Sequence, residues 1–151
     1  MKTEIHYRRE EPHRGYQVIE IGTGRLMAQF GSGPYEKYQA ERFQVKIECP
    51  QVLRLADRIV AKYPELRKRA LKAVMLHAEG RVHRNGAEHC FDVDSQSKEE
   101  LSYKVDVRFG TCTCPDFEGA LLGRRHSSPW CNGQPMCKHL VAAHMFEMLN
   151  Q

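Results

Sequence analysis

Residues 111–139 read TCTCPDFEGALLGRRHSSPWCNGQPMCKH and contain two closely spaced pairs of side chains that commonly bind metals. The first pair is Cys112 and Cys114, and the second is Cys137 and His139. Cysteine and histidine at such short spacing are typical of zinc sites in proteins. We therefore expect these two pairs to meet in space and to decide how this part of the chain folds.

The first pair follows a stretch with the period of a β-strand. Side chains two residues apart in a regular strand point the same way and lie about 6.6 Å apart. Two sulfurs on one tetrahedral zinc, each about 2.3 Å from the metal, are only about 3.8 Å apart. The strand must therefore bend between Cys112 and Cys114, and Pro115 helps to end it.

The second pair opens the run CKHLVAAHMFEML, whose apolar spacing predicts a helix from about Cys137 to Leu149. Free N–H groups and a partial positive charge at a helix N-terminus favour a thiolate. The longer imidazole allows His139 to reach the same point as Cys137. Three thiolates and one imidazole fill a tetrahedral shell, so we expect one structural Zn²⁺ with no open position for water.

A site without metal is the alternative interpretation of these residues. Any one of them alone would favour a buried thiol or an incidental histidine, because free cysteine is commonly buried. Two close pairs, one at a strand end and one at a helix start, favour zinc. An iron–sulfur cluster is less consistent because it usually takes four thiolates. His126 and Cys131 lie between the pairs, so a replaced ligand or a second weak site stays open.

The residues before the first pair predict a small antiparallel β-meander. Residues 81–84 and 87–94 flank Asn85-Gly86, a dipeptide typical of tight hairpins. Residues 103–109 alternate apolar and charged side chains, which predicts a third strand that runs into Cys112. A connection that contains Pro and Gly then leads to the final helix.

The N-terminal part predicts a hairpin followed by helices. Residues 16–30 read as two strands joined by the turn Gly22-Thr23-Gly24, and residues 35–47 fit a helix better than a strand. From Pro50 onward, apolar residues recur at helical spacing, and a second helix begins at Pro64.

These elements predict an α+β fold with two parts. Residues 1–79 form a mildly basic region with a hairpin and helices. Residues 80–151 form a small zinc-bound meander with a closing helix. Because a sheet and one helix of this size bury little surface, zinc should contribute directly to the free energy of folding.

The second part resembles the SWIM zinc-finger domain, whose pattern is Cys-x-Cys, a variable gap and Cys-x-His on a strand–strand–helix scaffold. Here the pattern reads CTC, a gap of 22 residues from Pro115 to Met136, and CKH followed by LVAAHMF, within residues 80–149. The resemblance implies four zinc ligands, Cys112, Cys114, Cys137 and His139. It also implies a setting among transposase-associated, chromatin-remodelling, recombination-related or ubiquitin-linked proteins, where the domain binds DNA or other proteins.

The composition is that of a globular protein: 151 residues with 41% hydrophobic and 28% charged side chains. No run approaches the roughly 18 apolar residues that span a bilayer, and the N-terminus lacks the apolar segment of a signal peptide. We therefore expect an intracellular, cytoplasmic protein that has no contact with membranes. In a reducing compartment, six cysteines favour metal binding or buried thiols over disulfides.

Basic side chains suggest contacts with nucleic acid. Residues 1–79 hold 15 Lys and Arg against 10 Asp and Glu, whereas residues 80–151 hold 8 against 9. Cations on helical faces, and an arginine pair near the only tryptophan, could follow phosphates while the indole stacks on a base. The alternative is that the cations are only solvated and the tryptophan packs over the zinc centre. The candidate contacts are Arg124, Arg125, Trp130, Arg54, Arg58, Lys62, Lys68 and Lys72.

We expect no enzymatic role and no small-molecule substrate. The best-placed cysteines are committed to metal, and the sequence has no phosphate-binding glycine loop and no His-Glu-x-x-His helix. Two hypotheses remain. The chain is either a DNA-associated recognition module in a mobile-element or DNA-processing context, or a protein-interaction subunit of a larger DNA-processing complex.

Overall fold

The computed structural model describes residues 1–11 and 14–151, which form two compact units, Met1–Leu53 and Arg54–Gln151. In chain order the elements are β1 (Thr3–Arg8), β2 (Gly15–Glu20), β3 (Leu26–Phe30), α1 (Pro34–Glu48), α2 (Pro50–Lys62), a 3₁₀ turn (Pro64–Leu66), α3 (Arg67–Ala78), β4 (Val82–Arg84), β5 (Cys90–Asp94), β6 (Ser102–Asp106), β7 (Thr111–Cys112), α4 (Pro115–Leu121), β8 (Trp130–Cys131), β9 (Gln134–Pro135) and α5 (Lys138–Leu149). Helices combined with small antiparallel sheets confirm the predicted α+β class. None of the helices in the described ranges has both the length and the apolar character needed to cross a bilayer.

The first unit contains an antiparallel sheet of order β1-β2-β3 together with α1. The predicted hairpin is confirmed, and its turn depends on Gly22 and Gly24, whose φ angles are +95° and +68°. The predicted helix at 35–47 is confirmed as α1. Strand β1 was not predicted because most of its side chains are exposed and polar, as at a sheet edge.

Helices α2 and α3 use the apolar faces that their periodicity predicts. Leu55 is buried on α2, and α3 buries Ala70 and Val74. Helix α3 packs against α5, where the Nε2 atom of His77 lies 2.8 Å from the carbonyl oxygen of Ala142. The core of the second unit therefore depends on contacts between elements far apart in sequence.

The predicted boundary between residues 79 and 80 falls inside the second compact unit. The contacts between α3 and α5 group α3 with the part of the chain that contains the Cys/His pairs.

The predicted three-stranded meander has four strands, in the order β4-β5-β6-β7. The third predicted strand does not run straight into Cys112. It ends at Asp106, whose carboxylate accepts a hydrogen bond from the backbone N–H of Phe109 at 2.9 Å. The chain then reverses its direction at Gly110, which has a φ of +64°, and β7 pairs antiparallel with β6. An Asp side chain and a glycine thus interrupt an alternating pattern.

Two further differences concern turns. Strand β5 begins at Cys90 and not at residue 87, because residues 85–89 form a longer loop in which His89 has a φ of +61°. The connection that contains Pro and Gly, for which no element was predicted, includes α4 and the β8–β9 hairpin. Asn132 and Gly133 at the tip of that hairpin have φ angles of +50° and +78°, as in the Asn-Gly turns that fit tight hairpins.

Candidate metal centre

The first ligand pair lies where β7 ends and α4 begins. Cys112 is the last residue of β7, and Cys114 is the N-cap of α4 with extended backbone angles. The Cys114 sulfur accepts a hydrogen bond from the backbone N–H of Phe117 at 3.4 Å. The predicted end of the strand after Cys112 is confirmed, and the helix N-terminus provides the change of direction.

The second pair repeats this arrangement at α5. Cys137 is the N-cap of the helix, and its sulfur accepts a hydrogen bond from the N–H of Leu140 at 3.4 Å. His139 lies in the first turn. The predicted position of Cys137 at a helix start is confirmed, and Cys114 has the same role at α4. Both sulfurs therefore lie at the positive end of a helix, which favours the thiolate form.

The four predicted ligands converge. One ligand atom from each of Cys112, Cys114, Cys137 and His139 lies within 4.8 Å of all the others, and all four residues are buried. Sulfurs bound to one tetrahedral zinc are about 3.8 Å apart, so this spread suits a single ion. In residues 1–11 and 14–151 it is the one group of three or more Cys, His, Asp or Glu side chains with such geometry.

The imidazole of His139 gives an independent test of whether a metal fits. Both its ring nitrogens are buried and have no hydrogen-bond partner in the described part of the chain. The ring packs against Tyr103, with 4.6 Å between ring centroids. A buried polar atom without a partner is rare because it costs about 1–3 kcal/mol. A bound cation next to the sulfurs would satisfy one nitrogen.

Contacts between the thiols also favour a cation. A hydrogen bond with Cys112 lowers the pKa of Cys114 far below its usual range, and the same contact raises the pKa of Cys112. With protons alone, the cluster therefore favours a single thiolate. A divalent ion stabilises all three sulfurs as thiolates, which is the form that binds zinc. The Cys₃His set is closed, so the metal would have a structural role.

The two other candidate ligands lie outside the cluster. Cys131 is buried in β8, where burial raises its pKa and a hydrogen bond with Glu65 raises it further. His126 is exposed in the connection, with a φ of +61°. The structure thus favours the four-ligand set over a replaced ligand.

The predicted nucleic-acid contacts are all on the surface. Trp130 is 54% exposed, which does not fit the alternative in which it packs over the centre. The cations are exposed as well: Arg124, Arg125, Arg54, Arg58, Lys62, Lys68 and Lys72. Exposure makes these side chains available for binding, and their contact with nucleic acid stays a prediction.

The sequence analysis did not identify the residues that hold the connection in place. Arg69 on α3 lies 3.0 Å from a carboxylate oxygen of Asp116 and donates a hydrogen bond to the carbonyl oxygen of Ser127 at 3.3 Å. Ser128 donates to the same carboxylate at 2.9 Å. Arg69 lies in a run of basic residues, so nothing in the sequence separates it from its solvated neighbours.

A further cation lies beside the centre. Lys138, the first residue of α5, is partly buried, and its side chain donates to Gln96 at 2.8 Å. Burial lowers its pKa, and the nearby charges of Lys72 and Arg69 lower it further. Lys138 is therefore close enough to Lys72, Arg69 and Cys114 for their charges to act on it.

Comparison with protein-family models gives a match to the SWIM zinc finger over residues 103–143. No match was found among the curated proteins or the solved structures. The matched range begins in β6, includes the four converging side chains and ends within α5. The chain therefore carries a SWIM zinc-finger segment whose buried Cys₃His cluster can hold one zinc ion.

Proposed function

We propose that the chain is a non-enzymatic, zinc-dependent recognition module that binds nucleic acid in a mobile-element or other DNA-processing setting. The observation that carries this proposal is the exposure of Arg124, Arg125 and Trp130 on the segment between the two ligand pairs. Guanidinium groups pair with phosphates, and an exposed indole can stack on an unpaired base. The closed ligand set supports a structural and not a catalytic metal.

The binding segment is held at both ends. Cys114 fixes its start to the metal centre, and Cys137 fixes its end. Between them, the carboxylate of Asp116 binds Arg69 and Ser128, which ties the middle of the segment to α3. A segment that is already ordered loses less conformational entropy on binding. Zinc would thus act indirectly, by holding the arginines and the indole in place.

Further cations would add affinity without sequence preference. Lys72 and Lys138 are close enough for their charges to interact, and neither forms an ion pair with a carboxylate in the described residues. The exposed cations of α2 and α3 could extend the contact along a phosphate backbone. Each phosphate contact contributes about 0.9 to the slope of log K against log salt on duplex DNA.

The test is a salt series of binding titrations with labelled duplex and single-stranded oligonucleotides. The double variant Arg124→Ala/Arg125→Ala should bind more weakly. On duplex DNA, the slope of its log K against log salt should become less steep by about 1.8, which corresponds to the loss of two phosphate contacts. The matched control is Arg8→Ala/Arg9→Ala, which removes another exposed arginine pair. Binding that is indifferent to salt and to the Arg124/Arg125 change would refute the proposal.

The second candidate function is a protein-interaction subunit of a larger DNA-processing complex. Large apolar side chains on the surface favour it, among them Phe109 at 72% exposure and Leu122 at 69%. Purification of one stoichiometric partner from nuclease-treated lysate would support this role. A monomer that still shifts DNA would support nucleic-acid binding instead.

A further inference from the structure

The three sulfurs of the metal centre differ in the hydrogen bonds that they accept. The Cys114 sulfur accepts the backbone N–H of Phe117, and the Cys137 sulfur accepts that of Leu140, each at 3.4 Å. In the described part of the chain, no backbone N–H donates to the sulfur of Cys112, whose polar contacts are with the other two thiols. One sulfur of the centre therefore lacks the hydrogen bond that the other two share.

The position of Cys112 in the fold explains this difference. It is the last residue of β7, whereas the other two cysteines are the N-caps of helices. A helix N-terminus offers free N–H groups. The N–H that follows Cys112, that of Thr113, instead donates to the carbonyl oxygen of Lys104 at 3.1 Å. A hydrogen bond to a thiolate draws electron density from the sulfur, so the sulfur without one is the strongest nucleophile of the three.

Cys112 is also the most accessible of the three cysteines. It is 5% exposed, whereas Cys114 is 1% exposed and Cys137 is completely buried. Strand β7 lies at one edge of the β4-β5-β6-β7 sheet, and the residues on both sides of Cys112, Thr111 and Thr113, are exposed. Oxidation and alkylation of cysteine depend on thiolate character and on access. Both properties favour the same sulfur.

We propose that Cys112 is the reactive sulfur of the zinc-loaded centre and the site that peroxides and alkylating agents modify first. Its thiolate attacks one oxygen of hydrogen peroxide, so that an S–O bond forms, the O–O bond breaks and hydroxide leaves. The sulfur loses two electrons and becomes a sulfenic acid. A second thiolate of the centre, within 4.8 Å, then attacks this sulfur. An S–S bond forms, the S–O bond breaks and a second hydroxide leaves.

This modification removes two of the four ligands from the centre. Zinc binds thiolates and not disulfides, and the two other candidate ligands, His126 and Cys131, lie outside the cluster. The segment between the ligand pairs then loses the metal that holds its two ends. Peroxide should therefore abolish nucleic-acid binding together with zinc binding. This last consequence rests on the proposed function, whereas the reactivity of Cys112 does not.

The experiment treats the zinc-loaded chain with less than one equivalent of iodoacetamide and locates the modified sulfur by tandem mass spectrometry. An S–C bond forms, the C–I bond breaks and iodide leaves. The variant Cys49→Ser/Cys90→Ser removes two half-buried thiols outside the centre and keeps all four ligands. In both proteins, Cys112 should react about tenfold faster than Cys114 or Cys137, as expected when one hydrogen bond to a charged group is missing. A zinc indicator should detect one ion released for each chain modified at Cys112.

The control is the metal-free chain unfolded in urea, in which the three sulfurs should react at similar rates because the two N-caps no longer exist. Hydrogen peroxide should likewise yield a sulfenic acid at Cys112, trapped with dimedone, or a disulfide that includes Cys112, with loss of zinc.

Several results would overturn the proposal. These are first modification at Cys114 or Cys137, equal rates at the three sulfurs of the loaded chain, and a centre that stays unmodified in excess reagent. A rate that does not depend on the reagent concentration shows that zinc dissociates before any sulfur reacts, and it overturns the proposal too. Preferential modification of Cys112 in a chain that does not bind DNA supports this proposal and refutes the proposed function.

Discussion

Removal of zinc should unfold most of Arg54–Gln151, and the magnitude follows from the buried centre. Structural zinc sites in zinc-finger peptides have apparent binding free energies of about 10–16 kcal/mol at neutral pH. A whole domain is stable by only about 5–15 kcal/mol. Without metal, the His139 ring nitrogen that would bind it stays buried and unpaired, which costs about 1–3 kcal/mol. The free energy that zinc contributes is therefore of the same size as the stability of a whole domain.

The remaining contacts of the second unit should not prevent this unfolding. The first turn of α5 carries Cys137 and His139, and the same helix packs against α3 and the β4–β7 sheet. When that turn separates from β7, α5 loses the position from which it covers the core. Met1–Leu53 contains none of the four ligands, so we expect its sheet and α1 to remain.

The assay compares thermal and urea unfolding of the zinc-loaded chain with that of chelator-treated protein, after elemental analysis has confirmed the metal content. Trp130 is the only tryptophan and lies between the ligand pairs, so its fluorescence reports on this region. Far-UV circular dichroism follows the helices at the same time. Complete loss of zinc with unchanged Trp130 emission and an unchanged unfolding midpoint would refute the reasoning.

Three further outcomes test single residues. Elemental analysis should find one zinc per chain in Cys131→Ala and no zinc in Cys137→Ser. Loss of zinc from Cys131→Ala would contradict the four-ligand set. Arg69→Ala removes the charged hydrogen bonds to Asp116 and Ser127, so it should lower the free energy of unfolding by about 1–3 kcal/mol, measured in urea with zinc in excess. The control Lys72→Ala removes an exposed cation and should change the free energy of unfolding by less than about 0.5 kcal/mol. Burial lowers the pKa of His77, so the unfolded chain binds its proton more readily and stability should fall as pH decreases below about 6.5. His77→Gln should reduce that decline, and an identical pH profile for the two proteins contradicts this assignment.

Local chemistry in the sequence was sufficient to predict the ligand set and several elements. The spacing of Cys112, Cys114, Cys137 and His139 identified the side chains that the fold brings together. The apolar period placed α2, α3 and α5, and the glycines at 22 and 24 placed the first hairpin. These features depend on residues that are close in sequence, where helical or strand period and turn chemistry act directly.

Other elements depend on side chains whose role sequence patterns do not show. The alternation continues past Asp106, yet its carboxylate binds a backbone N–H and ends β6 there. Helix α4 is too short for a periodic signal, and its N-cap is Cys114 in place of the usual Ser, Thr, Asp or Asn. The Asn-Gly dipeptide, which is typical of tight hairpins, occurs at Asn85-Gly86 and at Asn132-Gly133. Asn85 belongs to a longer loop, whereas Asn132 forms the tight hairpin.

The two N-caps explain how a buried, charged centre can be stable. Three thiolates and one divalent ion leave a net charge of minus one, which burial alone would penalise. The sulfurs of Cys114 and Cys137 each accept a backbone N–H at a helix N-terminus, and Lys138 brings a positive charge close by. The first turns of two helices therefore offset the charge that the metal leaves.

Because the ligands lie at the two N-caps, the side chains between Cys114 and Cys137 are not needed to bind the metal. The buried ligands lie at the two ends of this segment, and the contacts of Asp116 with Arg69 and Ser128 hold it between them. The residues beyond Asp116 can carry exposed arginines and an indole at little cost to the fold. We therefore expect substitutions at Arg124 and Arg125 to alter binding while zinc content and the unfolding midpoint remain as in the unchanged chain.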